Sequence, residues 1–307
     1  MPLSEPITFD GRVAVITGAG GGLGKTYALE LARRGARVVV NDLGGSVEGT
    51  GASVSAADVV VDEIKSAGGE AAASYDSVST EKGGAAIIQT AVDEFGGVDI
   101  VVNNAGILRD KSFANMEFAE VEAVLEVHLR GAFHVSQPAF RVMKDNGYGR
   151  LVFTSSNAGL FGNFGQANYG AAKAGLVGLS NVLAIEGMKY SIRSNVIAPV
   201  ARTRMTEDLL GPFAEMVDPS QVTPMVVYLC SEANEYTHEI FTAGGGRYGR
   251  VFIGTNKGWF AGQGAVPSVE ELSEHLDEIR DITEHIVPSN VNDELMLLGQ
   301  MLADDAD

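Results

Sequence analysis

The chain has a single cysteine in 307 residues, Cys230, so no internal disulfide can form and a reducing compartment is expected. Cys230 lies in an apolar helical stretch and reads as a small core residue. Basic residues are few: 22 Lys and Arg stand against 40 Asp and Glu, a formal net charge of -18. Nucleic-acid binding requires clustered cations that displace counterions, so that class is set aside. By the same reasoning an anionic substrate would need a local cationic patch, because the overall field repels it. No run approaches the ~20 apolar residues that span a bilayer. The opening residues Met1–Pro6 lack the basic stretch and apolar core of a secretory leader, and Leu302–Asp307 is no peroxisomal tripeptide. A cytoplasmic protein with no membrane partner and no metal site is expected. Repeats and Pro-rich linkers are also missing, so nothing marks a domain boundary before about residue 250.

Glycine, by contrast, is abundant: 38 residues with no Gly-X-Y period, which implies many tight turns and close backbone approaches around a ligand. With 45% hydrophobic residues the chain can build a sizeable core. Short β-branched runs alternate with helix-like stretches over the first 200 or so residues. The strands expected are 13–17, 37–41, 71–75, 100–103, 149–155 and 192–198; the helices are 24–34, 56–67, 84–95, 118–144 and 169–190. This is the pattern of an α/β protein with a doubly wound parallel sheet, a Rossmann fold, whose ligands gather at the carboxyl ends of the strands. The expected organisation is a single domain over residues 1–250. Residues 251–307 form a mostly helical acidic C-terminal extension, its tail disordered from Ala303.

The first strand runs into Gly18-Ala19-Gly20-Gly21-Gly22-Leu23-Gly24 and then a helix. Glycines at 18, 22 and 24 suit a sharp turn, backbone N–H groups aimed at a pyrophosphate, and close packing of helix on strand. The second strand ends at Asn41-Asp42-Leu43, where a carboxylate can bind both ribose hydroxyls of an adenosine. No Arg or Lys stands there to meet a 2′-phosphate, so NAD is expected over NADP. Asp76, followed by Ser77 and Val78, ends the third strand, where it can bond the adenine amine. Asn104-Ala105-Gly106 ends the fourth, where Asn103 and Asn104 can lock the sheet behind the cofactor.

Tyr169 and Lys173 stand four apart, hence on one helix face. A free phenol, pKa about 10, is a poor base at neutral pH, but a neighbouring cation favours the phenolate. Lys173 can also hold the ribose of the nicotinamide half. Ser156, after the strand that ends at Ser155, can bond the substrate oxygen; Ser155 competes for that role.

Together, Thr17-Gly18 through Gly24, Asn104-Ala105-Gly106, Ser156, Tyr169 and Lys173 resemble the short-chain dehydrogenase/reductase superfamily over roughly residues 8 to 245. Several stretches are similar to one branch, the (3R)-hydroxyacyl-CoA dehydrogenase units of peroxisomal multifunctional enzymes type 2, also called 17β-hydroxysteroid dehydrogenases type 4. They are Asn41–Gly45 with its Gly-rich loop, Asp76–Val78, Gly106–Asp110, Val127–Gly131 and Gly162–Asn168 before Tyr169. The resemblance implies an NAD-dependent dehydrogenase for an acyl-CoA or steroid-type substrate, acting as a homodimer or homotetramer. Its pairing would run through the Tyr169 helix and the long helix before it.

Within the superfamily most members have Asn where His128 stands, as a fourth catalytic residue holding a water in a proton relay. The branch shares the His. Pro199-Val200 replaces the usual Pro-Gly, and the resemblance leaves Thr203 to reach the cofactor. The hydratase and sterol-carrier domains of longer relatives are not expected. Residues 201–222 read either as a lid over the substrate, with Met205, Leu209, Leu210, Phe213 and Met216 on its apolar face, or as an amphipathic helix packed on the sheet. Arg109, Lys111 and Arg130 are the only candidates for CoA phosphates. The alternatives are a dehydrogenase of free steroid and a non-catalytic dinucleotide sensor; the presence of both Tyr169 and Lys173 counts against the second.

Overall fold

Val13–Thr17, the first buried apolar run, becomes the centre of a sheet, as its five fully shielded residues require. The computed structural model describes residues 6–51, 55–203, 205–206 and 211–305. In chain order the strands are β1 (Val13–Thr17), β2 (Arg37–Asn41), β3 (Glu70–Ser74), β4 (Ile100–Asn103), β5 (Gly149–Thr154), β6 (Ile192–Pro199), β7 (Glu239–Gly244) and β8 (Arg247–Val251). They form one sheet in the order β3-β2-β1-β4-β5-β6-β7-β8. Every pairing from β3 to β7 is parallel, with Val15 level with Val39 and Val101. Only Gly245 and Gly246 separate β7 from β8, too few residues for a crossover, so that pair is a hairpin. The order reverses at β1 and β4, which places the ligand crevice above their carboxyl ends.

The crossovers are α1 (Gly22–Arg33), α2 (Ser55–Ser66), α3 (Glu81–Phe95), α4 (Phe118–Leu125), α5 (Gly131–Asn146), α6 (Asn157–Phe161), α7 (Ala167–Gly187) and α8 (Thr223–Cys230). On one face Tyr27, Leu31, Val60, Ile64, Val226 and Cys230 pack against alternate residues of β1 and β2. Each such side chain contributes roughly 1.5–3 kcal/mol of burial. Cys230 is buried and its thiol is pushed up to about 12 by desolvation, so it is a core residue.

The expected continuous helix over 118–144 is corrected: a wide π-turn at Glu126–Arg130 separates α4 from α5. One extra residue in the turn rotates the register, and His128 points into the protein, 3% exposed. The expected helix over 169–190 closes at Gly187, followed by a tight 3-10 turn, Met188–Tyr190, and Ser191 in the left-handed region. Within 201–222 the described residues form two short 3-10 turns, Gly211–Met216 and Pro219–Gln221, and Met216 is exposed. Leu209 and Leu210, with the side chain of Phe213, lie outside the described residues.

The chain divides after Arg250 into two units. Within Val251–Asp307, Thr255–Asn256 pairs antiparallel with His285–Ile286. Trp259 stacks on His275 at 4.0 Å and Phe252 on His285 at 5.5 Å. Its longest helix, Val291–Asp304, is capped by the side chain of Asn290. Among the described residues no helix is long and apolar enough to cross a membrane.

Candidate active site

A cavity of about 330 Å³ opens at the carboxyl ends of the strands. One end is built from the glycine turn. Gly18 and Gly22 take the left-handed backbone (φ 64° and 52°), which turns β1 into α1 within a few residues. Gly18, Gly21, Gly22 and Leu23 line the cavity. Gly24 does not; it packs behind the turn, where an added Cβ would lie 2.4 Å from the Gly18 carbonyl oxygen. Asn104 holds the turn from the other side, its Nδ2 donating to the carbonyls of Thr17 (3.0 Å) and Gly18 (3.1 Å). The Thr17 hydroxyl accepts the N–H groups of Asn104 and Ala105. Gly24→Ala should therefore force the turn open, costing about 1–3 kcal/mol as an overpacked site. A fluorescence titration with NADH is expected to show weakened binding.

Asp42 sits beside this turn. Its Oδ2 accepts the N–H of Gly20 at 2.8 Å and its Oδ1 that of Gly44 at 2.7 Å, so the carboxylate is pinned at the cavity wall. Gly20 serves Asp42 in this way without lining the cavity. Leu43, Asp76, Ser77 and Val78 complete this end. Val78 is seated by His134, whose Nδ1 lies 2.9 Å from its carbonyl. The residues present fit a dinucleotide: free backbone N–H groups at a helix start for the phosphates, and a fixed carboxylate for the ribose.

The other end holds Ser156, Tyr169, Lys173 and His128. Ser156 caps α6, its hydroxyl accepting the Ala158 N–H at 3.2 Å. Ser156 also stands beside the Tyr169 phenol, whose ionised form it favours. Ser155 does otherwise: it is buried and donates to the Lys173 carbonyl at 2.8 Å, fastening β5 to α7. Lys173 is 3% exposed, its ammonium end 5.5 Å from the centre of the Tyr169 ring. Its Nζ donates to the Thr154 carbonyl at 2.6 Å. Burial pushes Tyr169 up to about 12, with Asp110 adding to the rise, and brings Lys173 down to about 7. In the protein alone, then, burial holds both groups toward neutrality and outweighs the mutual stabilisation that their spacing suggests.

His128 lies edge-on to the Tyr169 ring at 5.1 Å. Its Nε2 is 3.0 Å from the Ile107 nitrogen and 2.8 Å from the Ile107 oxygen, so its tautomer selects which of them it meets. Gly106 has no side chain because a Cβ there would fall 2.3 Å from the imidazole. Burial, with Lys173 nearby, keeps His128 well below the ordinary imidazole pKa and hence neutral. His128 and Lys173 also line a second cavity of about 10 Å³, with Thr17 and Asn103, large enough for one water.

Pro199 and Thr203 line the main cavity, and Thr203 lies over Gly22. Val200 is turned away from it, its N–H bonded to the Ala243 carbonyl at 2.8 Å. None of the three candidate phosphate cations lines the cavity. Lys111 pairs with Glu120 at 2.7 Å, Arg130 with Glu126, and Arg109 donates to the Glu48 carbonyl at 3.1 Å. The sequence reading missed Ser46, Val47 and Gly49, which line the cavity from a small hairpin closed by the Ser46 N–H on the Thr50 carbonyl. The Gly-rich run was its only trace in the sequence.

A parallel sheet with a glycine turn, a pinned carboxylate and a Tyr-Lys pair at the switch point is the arrangement of an α/β dinucleotide-binding oxidoreductase. Residues 12–210 match the short chain dehydrogenase family, to which this chain belongs. A short-chain type dehydrogenase/reductase of Mycobacterium tuberculosis is 53% identical over 273 residues, covering 89% of this chain and 95% of that protein. The hydroxyacyl-CoA dehydrogenase ChsB1 of the same organism is 42% identical over 241 residues, 73% of this chain and 74% of that one. Full-length peroxisomal multifunctional enzyme type 2 of Drosophila melanogaster superposes with a TM-score of 0.81 at 38% identity. The match covers 97% of this chain and 50% of the fly chain.

Proposed function

We propose that the protein oxidises the 3-hydroxyl of a (3R)-hydroxyacyl-CoA, a fatty acyl or sterol side-chain thioester, to the 3-ketone, with NAD as acceptor. The observation that carries this reading is the Tyr169 phenol, with Ser156 beside it and Lys173 behind it, at the opposite end of one cavity from Asp42. When bound, the nicotinamide accepts the carbinol hydride. Ser156 bonds the substrate oxygen and steadies it as it becomes a carbonyl. Tyr169 takes the hydroxyl proton. Lys173, when protonated, favours the phenolate and holds the ribose, so the pair titrates as a unit. The neutral His128, beside Lys173 at the water-sized cavity, orients the route by which that proton leaves. The thioester is supported by the hydroxyacyl-CoA dehydrogenase among the relatives and by the multifunctional enzyme among the structures.

Asp42 sets the coenzyme. A carboxylate pinned by two N–H groups stays in place and repels a 2′-phosphate, so steady-state rates should strongly favour NAD over NADP. Asp42→Ala should narrow the preference by about tenfold or more, since a like-charge contact costs at least that much. Equal use of both coenzymes by the unsubstituted protein would remove the assignment.

The substrate class is tested by NADH absorbance on a panel of (3R)-hydroxyacyl-CoA and sterol-CoA thioesters beside a free steroid alcohol. Turnover of the thioesters is expected. Turnover of the steroid alone would make the protein a 17β-hydroxysteroid dehydrogenase, and none with any alcohol would leave a dinucleotide sensor. Homo-oligomerisation through α5 and α7 is supported by the exposed Phe133, Val182 and Ile185 on those helices. A cytoplasmic location remains our reading, and cell fractionation decides between it and the peroxisome named for the fly enzyme.

A further inference from the structure

The residues leading into Tyr169 include one that the chemistry above does not use. Asn168 is 2% exposed. A buried carboxamide is costly unless its polar atoms are partnered, and those of Asn168 are. Its Nδ2 donates to the carbonyls of Arg109 (2.9 Å) and Glu120 (3.4 Å), and its Oδ1 accepts the N–H of Tyr169 at 2.7 Å. That N–H lies in the first turn of α7, where no partner exists within the helix. The side chain thus hooks the backbone of Tyr169 to the segment that follows β4.

That segment is fastened on both sides. Toward α7, the Lys111 N–H donates to the Gly165 carbonyl at 2.9 Å and Gln166 Nε2 to Asp110 Oδ2 at 2.7 Å. Toward the cofactor end, the Leu108 N–H donates to the Val47 carbonyl at 2.9 Å and Arg109 Nε to the Glu48 carbonyl at 3.1 Å. Val47 lines the cavity near Asp42, and Gly44, in the same loop, bonds Asp42 directly. The carbonyl that anchors Tyr169 therefore belongs to a strip of backbone stitched to the adenosine end of the site.

We propose that Asn168 is a positioning residue: by joining the Tyr169 N–H to the Arg109 carbonyl it sets where the phenol meets the substrate relative to the cofactor. Asn168 does not line the cavity, so it acts through Tyr169, and the proposal rests on Tyr169 as the proton acceptor. Misplacing a reacting group by about 1 Å can cost ~100-fold in rate.

The test uses the full chain with NAD and a turned-over thioester, comparing Asn168→Ala and Asn168→Asp with the unsubstituted protein. Asn168→Ala is expected to lower kcat about 10- to 100-fold. NADH affinity should stay within about twofold, and the Tyr169 amide should exchange hydrogen faster. Asn168→Asp keeps the acceptor but, ionised, has no donor for the Arg109 carbonyl; protonated, it regains one. The ratio of its kcat to that of the unsubstituted protein should rise as pH falls. The groups facing this site, Arg109, Asp110, Lys111, Glu120, His128 and Tyr169, are common to both chains and cancel in the ratio. An unchanged kcat in Asn168→Ala, or kcat, NADH affinity and thermal midpoint falling together, would overturn the proposal. So would a pH-independent ratio for Asn168→Asp, which decides alone if Asn168→Ala fails to fold. Should the parent chain oxidise no thioester, the functional reading fails separately. Amide exchange at Tyr169 in the NADH complex then decides: faster exchange in Asn168→Ala upholds the tether, and unchanged exchange removes it.

Discussion

Tyr169→Phe is expected to lower turnover about 10²- to 10⁴-fold, the range for a lost general acid–base group. NADH affinity should change by less than about twofold, because the phosphate turn and Asp42 lie at the other end of the cavity. The ring itself remains, and with it the perpendicular contact with His128 at 5.1 Å. Ser156 keeps a partner in the Ala158 N–H, so the loss falls on the proton and leaves the packing unchanged. Steady-state rates beside a fluorescence titration with NADH separate the two effects. Retention of more than about a tenth of the turnover would place the acid–base group elsewhere.

Lys173→Met should abolish turnover to a similar degree while raising thermal stability at low pH. The amine is buried and its pKa is brought down from 10.5 to about 7. Between those values the unfolded chain binds more protons than the folded one, so stability rises with pH across that window, and the penalty is fully present below about 7. Its size is on the order of a few kcal/mol. Methionine, of similar length, removes that penalty and leaves the Thr154 carbonyl without its donor, a loss of about 1–3 kcal/mol. The expected result is a higher thermal midpoint than the parent at pH 6, with the difference shrinking toward pH 10. A uniform drop at all pH values would mean that the lysine is held by contacts stronger than its desolvation.

β1, β2 and β4 match their expected bounds because each is a short β-branched run between polar or glycine turns, shielded on both faces. The glycine turn and the Tyr169-Lys173 pair were legible because their spacing is local. What escaped depended on contacts distant in sequence. The π-turn around His128 leaves the helical periodicity intact on both sides, so one inserted residue has no compositional mark. Strands β7 and β8 were hidden by the glycines that join them. Lys111 and Arg130 looked available for phosphates only because their partners, Glu120 and Glu126, are chosen by folding. The roles of Ser155 and Ser156, adjacent in sequence, separate through what each hydroxyl meets: the backbone of α7 for one, the first turn of α6 at the cavity wall for the other.

The most direct measurement follows a labelled atom. A (3R)-3-hydroxyacyl-CoA carrying deuterium at C3 is incubated with the protein and NAD, and the coenzyme is analysed by mass spectrometry. Deuterium in the NADH, in proportion to the 3-ketoacyl-CoA formed and lost in Tyr169→Phe, is the expected result. Ketone formed without label in the coenzyme, or label transferred equally well by the phenylalanine variant, would contradict the assignment.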